Sequence, residues 1–298
     1  MKKVYLLIPV LYVWICTSCE PLETIFPAKG PSFEQQLTTP TVKGYTVSWN
    51  MRYGENGRQI FDLHLPQKDT VTQDYPTISL VMVHGGGWSL LDKRFISVAV
   101  EDFKRRGLNL AIFNVNHRLA ASDGVTYDDM MEDFDLFFQE QRSLRDSLHL
   151  SDKVLLWGYS SGGHLLMSYA YTHPSKDFVN VAAIASPTDL TDPEIRNKIF
   201  DNGRNLTELL VGEPFDQNPR AYEEASPYYL AGRHSTSTSF FYGGNDLLVD
   251  KSQGEKLNSL LRKKKVESDF HLLPEADHEM NGQMPGIADE LIKYWKTL

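Results

Sequence analysis

The sequence predicts an α/β fold with a mostly parallel, doubly wound sheet. Segments with helical periodicity alternate with short, continuously apolar runs, and strands of that kind are buried on both faces of a parallel sheet. Six such runs follow one another along the chain, at residues 78–83, 110–115, 154–157, 181–185, 239–242 and 269–273. One large domain, covering residues 45–298, accommodates all of them.

Helices are expected between these runs, at residues 95–106, 127–148, 161–172, 253–264 and 285–296. In the second of them the apolar side chains fall largely on one face, which is typical of a helix packed against a sheet. The run at residues 95–106 stops at Gly107, a residue that commonly follows a helix end. Alternation of this kind favours helices on both faces of the sheet.

Two further segments stand outside this alternation. Residues 45–51 and 60–65 are rich in β-forming residues and are separated by Asn56-Gly57, which predicts an antiparallel hairpin at the entry to the sheet. Residues 187–235 contain no clear sheet strand. An insertion of that length at a strand's carboxyl end predicts a small, partly helical cap over the site.

The N-terminus has the composition of an export signal. Lys2 and Lys3 precede an apolar stretch that reaches residue 15, which is too short to span a bilayer. Both cysteines of the chain, Cys16 and Cys19, close this stretch, so the body has no disulfide or thiol chemistry. The segment resembles a lipoprotein signal over residues 1–19 and implies lipidation of Cys19, followed by a tether over residues 20–44. Secretion without a lipid is the alternative.

Charge limits the partners of this protein. The formal net charge is −9, and a nucleic-acid binder depends on clustered Lys and Arg, so no nucleic-acid partner is expected. Contact with a membrane is expected through the lipid anchor only. The chain has no H-E-x-x-H motif and no cysteine pair in its body, so neither a metal nor another cofactor is expected.

Ser160 lies in a G-x-S-x-G segment, Gly158-Tyr159-Ser160-Ser161-Gly162, directly between an apolar strand and a plausible helix. In that context the glycines allow a sharp turn that exposes the serine at the edge of the sheet. The sequence therefore predicts Ser160 as a nucleophile. Ser161 is a rival only if the frame is shifted by one residue, and that frame has no leading glycine.

Acyl transfer also needs donors for the oxyanion. His84-Gly85-Gly86-Gly87-Trp88 follows the first central strand, and consecutive glycines allow several amides to converge on one oxygen. The run lacks the Lys-Ser/Thr of a phosphate loop, so nucleotide binding is not favoured.

A base and an acid should follow the nucleophile in the order Ser, acid, His. His278 lies in a loop after the last strand, and Asp246 follows the strand at residues 239–242. Asp250 and Asp277 are competitors for the acid. Asp250 lies beyond the loop, and Asp277 is adjacent to His278 and cannot easily face its imidazole.

Taken together, His84–Trp88, Asn116–Leu119, Gly158–His164, Ala225–Pro227 and the segments around Asp246 and His278 resemble the α/β-hydrolase esterases related to hormone-sensitive lipase and the bacterial feruloyl-esterase-like group. The likeness spans residues 45–298. It implies oxyanion donors at the amides of Gly86, Gly87 and Ser161, and a place for Trp88 near the acyl or leaving-group pocket. Where that group usually has Asn-Tyr-Arg-Leu, this chain has His117.

The function expected from these residues is a serine carboxylester hydrolase that acts on small-molecule or glycan esters outside the cytoplasm. The substrate class comes from analogy with the group, not from the residues. A serine peptidase on the same fold is one alternative. A non-catalytic binding protein on a hydrolase scaffold is the other, and the loss of one of the three residues would be its sign.

Overall fold

The computed structural model describes residues 44–67, 77–120, 124–198 and 205–295. The export signal, Cys19 and nearly all of the predicted tether lie outside the described residues. Eight strands form one sheet: β1 Tyr45–Arg52, β2 Ile60–Pro66, β3 Thr77–Val83, β4 Leu110–Val115, β5 Leu150–Tyr159, β6 Phe178–Ile184, β7 Thr238–Gly243 and β8 Ser268–Leu273.

The strand order is β1-β2-β4-β3-β5-β6-β7-β8. β1 pairs antiparallel with β2, and β2 pairs antiparallel with β4, whereas the remaining pairs are parallel. The sheet is therefore the mostly parallel one that the sequence predicts, with its antiparallel hairpin at one edge. The chain moves from β3 outward in both directions, so loops after β3 and β5 face each other at the carboxyl edge, where ligands bind in sheets of this kind.

Helices cover both faces of the sheet. In chain order they are α1 Ser97–Arg105, α2 Tyr127–Ser143, α3 Arg145–Leu148, α4 Ser161–Thr172, α5 Pro193–Arg196, α6 Leu206–Val211, α7 Pro219–Glu224, α8 Pro227–Leu230, α9 Ser252–Lys263 and α10 Met284–Trp295. One buried core includes residues of α2, α4 and α9, and a second, on the opposite face, includes residues of α1 and α10. None of the described helices is long and apolar enough to cross a membrane.

Two predicted helices are interrupted in the structure. The segment at residues 95–106 begins as a 3₁₀ turn at Lys93–Ile96 before α1, and the segment at 127–148 divides into α2 and α3 at Leu144. Thr126 and Asp129 start α2 with a reciprocal capping box, which satisfies two backbone donors that have no partner inside the helix.

The hairpin forms through a different turn from the one that Asn56-Gly57 suggests. Neither residue has a positive φ, and the turn is instead closed by a hydrogen bond from the amide of Tyr53 to the carbonyl of Gln59 (3.0 Å). The left-handed residue in this region is Asn50 (φ 53°), which lies where the register between β1 and β2 shifts. A bulge of that kind bends an edge strand.

The insertion between β6 and β7 consists of short helices. In the described parts of residues 187–235, four helices, α5 to α8, follow one another and no strand joins the sheet. Three of these helices begin with a proline in the first turn, where its missing N–H leaves no donor unpaired. These four helices and the described segments between them form the cap.

Candidate active site

Ser160 occupies the sharp turn between β5 and α4. Its backbone has a positive φ (φ 51°, ψ −122°), and its amide donates to the carbonyl of Ile184 at 2.7 Å. A serine in this conformation is strained and persists only where the surrounding structure fixes it. The turn holds the hydroxyl at the carboxyl edge of the sheet and leaves 6% of the residue exposed.

The glycines of this turn are required by contacts rather than by flexibility. A Cβ on Gly162 would lie 2.4 Å from the carbonyl oxygens of Val83 and His84, and a Cβ on Gly158 would lie 2.4 Å from Gly163 Cα. No side chain fits at such distances. The first turn of α4 therefore packs directly on the end of β3, where the glycine loop begins.

Ser160, His278 and Asp246 are connected by hydrogen bonds in series. His278 Nε2 lies 3.1 Å from Ser160 Oγ, and His278 Nδ1 lies 2.8 Å from Asp246 Oδ2. A carboxylate only accepts, so Nδ1 carries the hydrogen and Nε2 is free to accept from the serine hydroxyl. The structure thus brings together the three residues selected from the sequence.

The backbone on both sides holds this series in place. Asp246 Oδ1 accepts from the amides of Leu248 (2.8 Å) and Val249 (2.9 Å), which fixes the orientation of the carboxylate. The hydroxyl of Tyr159 donates to the carbonyl of His278 at 2.7 Å and ties the histidine loop to the nucleophile turn.

The competing acids have other partners. Asp250 accepts from the amide of Ser252 at 2.9 Å, at the start of α9. Asp277 accepts from the side chain of Asn281 at 3.0 Å. Ser161, the rival nucleophile, is 1% exposed, and among the described residues its Oγ has no hydrogen-bond partner and hence no base.

The glycine loop lies beside the nucleophile. A Cβ on Gly85 would come within 3.1 Å of Ser160 Cβ, and Gly86 (φ 112°) and Gly87 (φ 55°) adopt conformations that favour glycine. No acceptor within the described ranges takes a hydrogen bond from the amides of Gly86 or Gly87. The amide of Ser161 is likewise free, since the first residues of a helix lack intrahelical acceptors. The contact of Gly85 places the start of the glycine loop beside Ser160, and Ser161 follows the nucleophile directly in the chain.

A network of polar contacts holds the glycine loop and the segments next to it in place. Arg58 donates to the carbonyls of His117 (2.8 Å) and Leu91 (2.9 Å), and Asn116 Oδ1 accepts from the amide of Lys93 at 2.6 Å. The His84 and His117 rings stack on each other. His117, at which this chain departs from the related group, therefore contacts the glycine loop directly through His84.

Trp88 leaves the loop with a left-handed backbone (φ 61°) and a side chain that is only 3% exposed. Its indole nitrogen donates to His164 Nδ1 at 3.0 Å, inside the protein. The place of Trp88 near an acyl or leaving-group pocket stays a prediction. His164 makes polar contacts through both ring nitrogens.

The cap borders the site on two sides. The side chain of Leu206, at the start of α6, lies so close to Gly87 that a Cβ there would be 2.9 Å from Leu206 Cδ1. Lys198 Nζ donates to the carbonyl of Leu247, next to Asp246, at 3.0 Å. No periodic pattern in the cap indicates these contacts, because they join residues far apart in the chain.

The chemistry that these side chains support is acyl transfer. A nucleophile, a base, an orienting acid and adjacent amides together can transfer an acyl group from an ester or an amide to water through a covalent intermediate. Among the described residues, no group of three or more His, Cys, Asp or Glu side chains is arranged to hold a metal ion.

Comparison with known proteins places the chain in a family. Residues 61–261 match the BD-FAE family. Kynurenine formamidase of Drosophila melanogaster is 25% identical over 249 residues, which is 79% of this chain and 75% of that protein. The non-reducing polyketide synthase ausA of Emericella nidulans is 28% identical over 222 residues, which is 70% of this chain but 8% of the synthase. The chain thus spans a small part of that longer protein.

Solved structures show the same fold. A truncated form of a carbohydrate esterase from gut microbiota superposes with a TM-score of 0.73 at 17% identity, covering 87% of this chain and 99% of that chain. Esterase B from Lactobacillus rhamnosis superposes with a TM-score of 0.67 at 16% identity, covering 87% of this chain and 86% of its own. With the match over residues 61–261, the chain belongs to the BD-FAE family, a family of esterases with the α/β-hydrolase fold.

Proposed function

We propose that this protein is a serine carboxylester hydrolase in which Ser160 is the nucleophile, His278 the base and Asp246 the acid that orients the base. The observation that carries the proposal is the hydrogen-bonded series in which His278 lies 3.1 Å from Ser160 Oγ and 2.8 Å from Asp246 Oδ2. Among the described carboxylates, Asp246 is the one in hydrogen-bond contact with His278.

The reaction follows from the polarity of these bonds. His278 Nε2 takes the hydroxyl proton as Ser160 Oγ attacks the ester carbonyl, and the amides of Gly86, Gly87 and Ser161 donate to the resulting oxyanion. The carbon–oxygen bond to the alcohol then breaks, and His278 returns its proton to the leaving oxygen. Water, deprotonated by the same imidazole, cleaves the acyl-enzyme and restores the serine.

The substrates we propose are acylated carbohydrates, or other esters, that lie outside the cytoplasm. The name of the structural neighbour, a carbohydrate esterase from gut microbiota, supports this class. The N-terminal sequence supports the location, because it resembles a lipoprotein signal with Cys19 as the lipidated residue. The domain is then held at a bacterial membrane by residues 20–44.

Amide hydrolysis is the second candidate activity. The observation in its favour is the 25% identity to a kynurenine formamidase over 79% of this chain. The same three residues cleave amides when the leaving nitrogen is protonated by the base. The third candidate is a binding protein without catalysis, which requires that Ser160, His278 and Asp246 be unreactive although they are hydrogen-bonded.

The decisive experiment compares the purified wild-type protein with S160A on p-nitrophenyl acetate, acetylated sugars, feruloyl esters, an N-formyl aromatic amine and dipeptide amides. We expect turnover of esters by the wild type and none by S160A, with unchanged circular dichroism. Amide turnover above ester turnover would favour the second candidate. A folded wild type that neither turns over substrate nor reacts with a fluorophosphonate probe would indicate the binding protein.

Location has its own test. In a bacterial host fed a labelled fatty acid, we expect the label on the wild-type protein and on C16A but not on C19A. Export of an unlabelled wild-type protein would show that the protein is secreted without a lipid.

A further inference from the structure

His164 joins three elements around the proposed nucleophile. It lies one helical turn after Ser160 on α4, and no part of it is exposed to solvent. Its Nδ1 accepts from Trp88 Nε1 at 3.0 Å, at the end of the glycine loop. Its Nε2 lies 2.8 Å from the carbonyl oxygen of Ala225, at the end of α7 in the cap.

The partners determine which nitrogen of His164 carries the hydrogen. An indole N–H can only donate, so Nδ1 must be an acceptor, and a carbonyl can only accept, so Nε2 must be the donor. The ring is also held between Trp88 (5.1 Å between centroids, interplanar angle 80°) and Tyr127 (6.2 Å, 66°). A flipped ring or a second proton would break at least one of the two bonds.

The contact with Trp88 bears on the oxyanion loop. Trp88 follows Gly87 directly and has a left-handed backbone, which is unfavourable for a residue with a large side chain. Two bonds hold it there: the one from its indole to His164, and one from the amide of Ala120 to its carbonyl at 2.9 Å. Loss of the first would let the backbone relax and turn the peptide of Gly87 away from Ser160.

The contact with Ala225 fixes the other side. Ala225 ends α7 and precedes Ser226, whose Oγ accepts from the amide of Leu190 (2.8 Å) and donates to the carbonyl of Tyr222 (2.6 Å). Ser226 therefore connects the segment before α5 to the end of α7. The bond to Ala225 therefore attaches this part of the cap to α4, the helix that follows the nucleophile.

We propose that His164 is a positioning residue whose neutral, Nε2-protonated side chain holds the glycine loop and the cap in the geometry that acyl transfer needs. The inference rests on the proposed function, since it concerns the efficiency of that reaction. His164 does not touch the reacting atoms and acts through Trp88 and Ala225.

The test compares H164L, H164Q and W88F with the wild type on p-nitrophenyl acetate. Misplacing an oxyanion donor costs on the order of 100-fold in kcat, so we expect about that loss for H164L, with KM changed by less than about threefold. Glutamine offers an acceptor oxygen and a donor nitrogen, so H164Q should recover about tenfold of the loss. H64L is the matched control, because His64 is also buried (3% exposed) but lies on β2.

Coupling between the two side chains is the second readout. If His164 acts through Trp88, the double variant W88F/H164L should be no slower than the slower single variant, because both remove the same contact. W88F removes the indole donor and should by itself lower kcat at least tenfold.

Several results would overturn the inference. A kcat of H164L equal to that of H64L would do so, and so would equal losses in H164Q and H164L, which indicate a packing role. If H164L does not fold, W88F decides, and full kcat in W88F counts against the proposal. These results differ from those that would contradict the proposed function, which are an inactive wild-type protein or an active S160A variant.

Discussion

His84, the first residue of the glycine loop, and His117 stack face to face, with ring centroids 4.8 Å apart and an interplanar angle of 10°. His84 Nδ1 lies 2.6 Å from the carbonyl oxygen of Gly85, and His117 Nδ1 lies 2.6 Å from the carbonyl oxygen of Arg118. Because a carbonyl only accepts, each Nδ1 carries the hydrogen. Burial lowers the pKa of His84 to about 4 and lowers the pKa of His117 well below its usual value. Both rings are therefore neutral in the folded protein.

The first prediction is that mild acid unfolds the protein. Burial also lowers the pKa of His64 to about 3 and that of His164 to about 4. The folded pKa of each lies below the unfolded value near 6.5, so the unfolded chain takes up protons that the folded one excludes. Stability is retained above pH 6.5 and falls as the pH drops toward the folded pKa values, by roughly 1.4 kcal/mol per pH unit for each histidine.

Urea unfolding at pH 7.5, 6.5 and 5.5 measures this effect. Each histidine contributes about 1 kcal/mol between pH 6.5 and 5.5, because the unfolded pKa lies at the upper end of this window, so with four such residues we expect a loss of about 4 kcal/mol, close to the whole stability of some domains. In H117F, which keeps an aromatic ring against His84, the loss should be smaller by about a quarter. Equal urea midpoints at pH 6.5 and 5.5 would show that these histidines accept protons in the folded state.

The second prediction separates Asp246 from its competitors. D246N keeps the shape of the side chain but favours the wrong tautomer of His278, so we expect kcat on p-nitrophenyl acetate to fall by about 10⁴-fold. D250N and D277N should stay within about threefold of the wild type, because these carboxylates contact Ser252 and Asn281 instead. If D277N loses most of its kcat and D246N stays active, Asp277 is the acid and Asp246 is not.

The sequence alone predicts those features of the fold and the site that neighbouring residues determine, but not the contacts between residues far apart in the chain. The strand, turn and helix around Ser160, and the order in which Asp246 and His278 follow it, are set by neighbouring residues and by the parallel sheet, so they could be predicted. The contact between His164 and Trp88 joins residues that are 76 positions apart, and no periodicity records it. Likewise, Arg58 reaches the carbonyl of His117 across 59 positions.

The hairpin shows the opposite case, in which a local signal suggests the wrong detail. Asn56-Gly57 favours positive backbone angles, but neither residue adopts them. The side chain of Gln59 instead accepts from the amide of Asn56 at 2.9 Å and donates to Asp133 on α2 at 2.7 Å. This tertiary anchor determines the turn, whereas the pairing of the two strands follows from their own pattern.

The third prediction concerns two glycines in helices. In α4, a Cβ on Gly162 would lie 2.4 Å from two backbone oxygens, so G162A must displace either the nucleophile turn or the end of β3. We expect G162A to lose nearly all ester turnover and more than about 2 kcal/mol of stability. Gly286 in α10 has nothing within 4 Å of a built Cβ, so G286A should raise stability by up to about 1 kcal/mol.

Thermal unfolding and initial rates on p-nitrophenyl acetate test this pair. The two variants add the same methyl group to the same kind of element, so a difference between them isolates the contact with His84 and Val83. An active and stable G162A would show that the elbow is less tightly packed against β3 than the distances indicate.

The fourth prediction is that Leu206 limits the length of the acyl group. Its side chain covers Gly87 from the cap, so L206A opens space next to the proposed oxyanion donors. A methylene in a pocket changes selectivity about 10-fold or more, and we expect kcat/KM for p-nitrophenyl hexanoate relative to acetate to rise by about that factor. L136A is the control, because Leu136 lies on α2 and is 40% exposed. If the hexanoate-to-acetate ratio of kcat/KM is unchanged in L206A, or rises equally in L136A, the acyl group does not bind next to Leu206, and the cap then borders the leaving group instead.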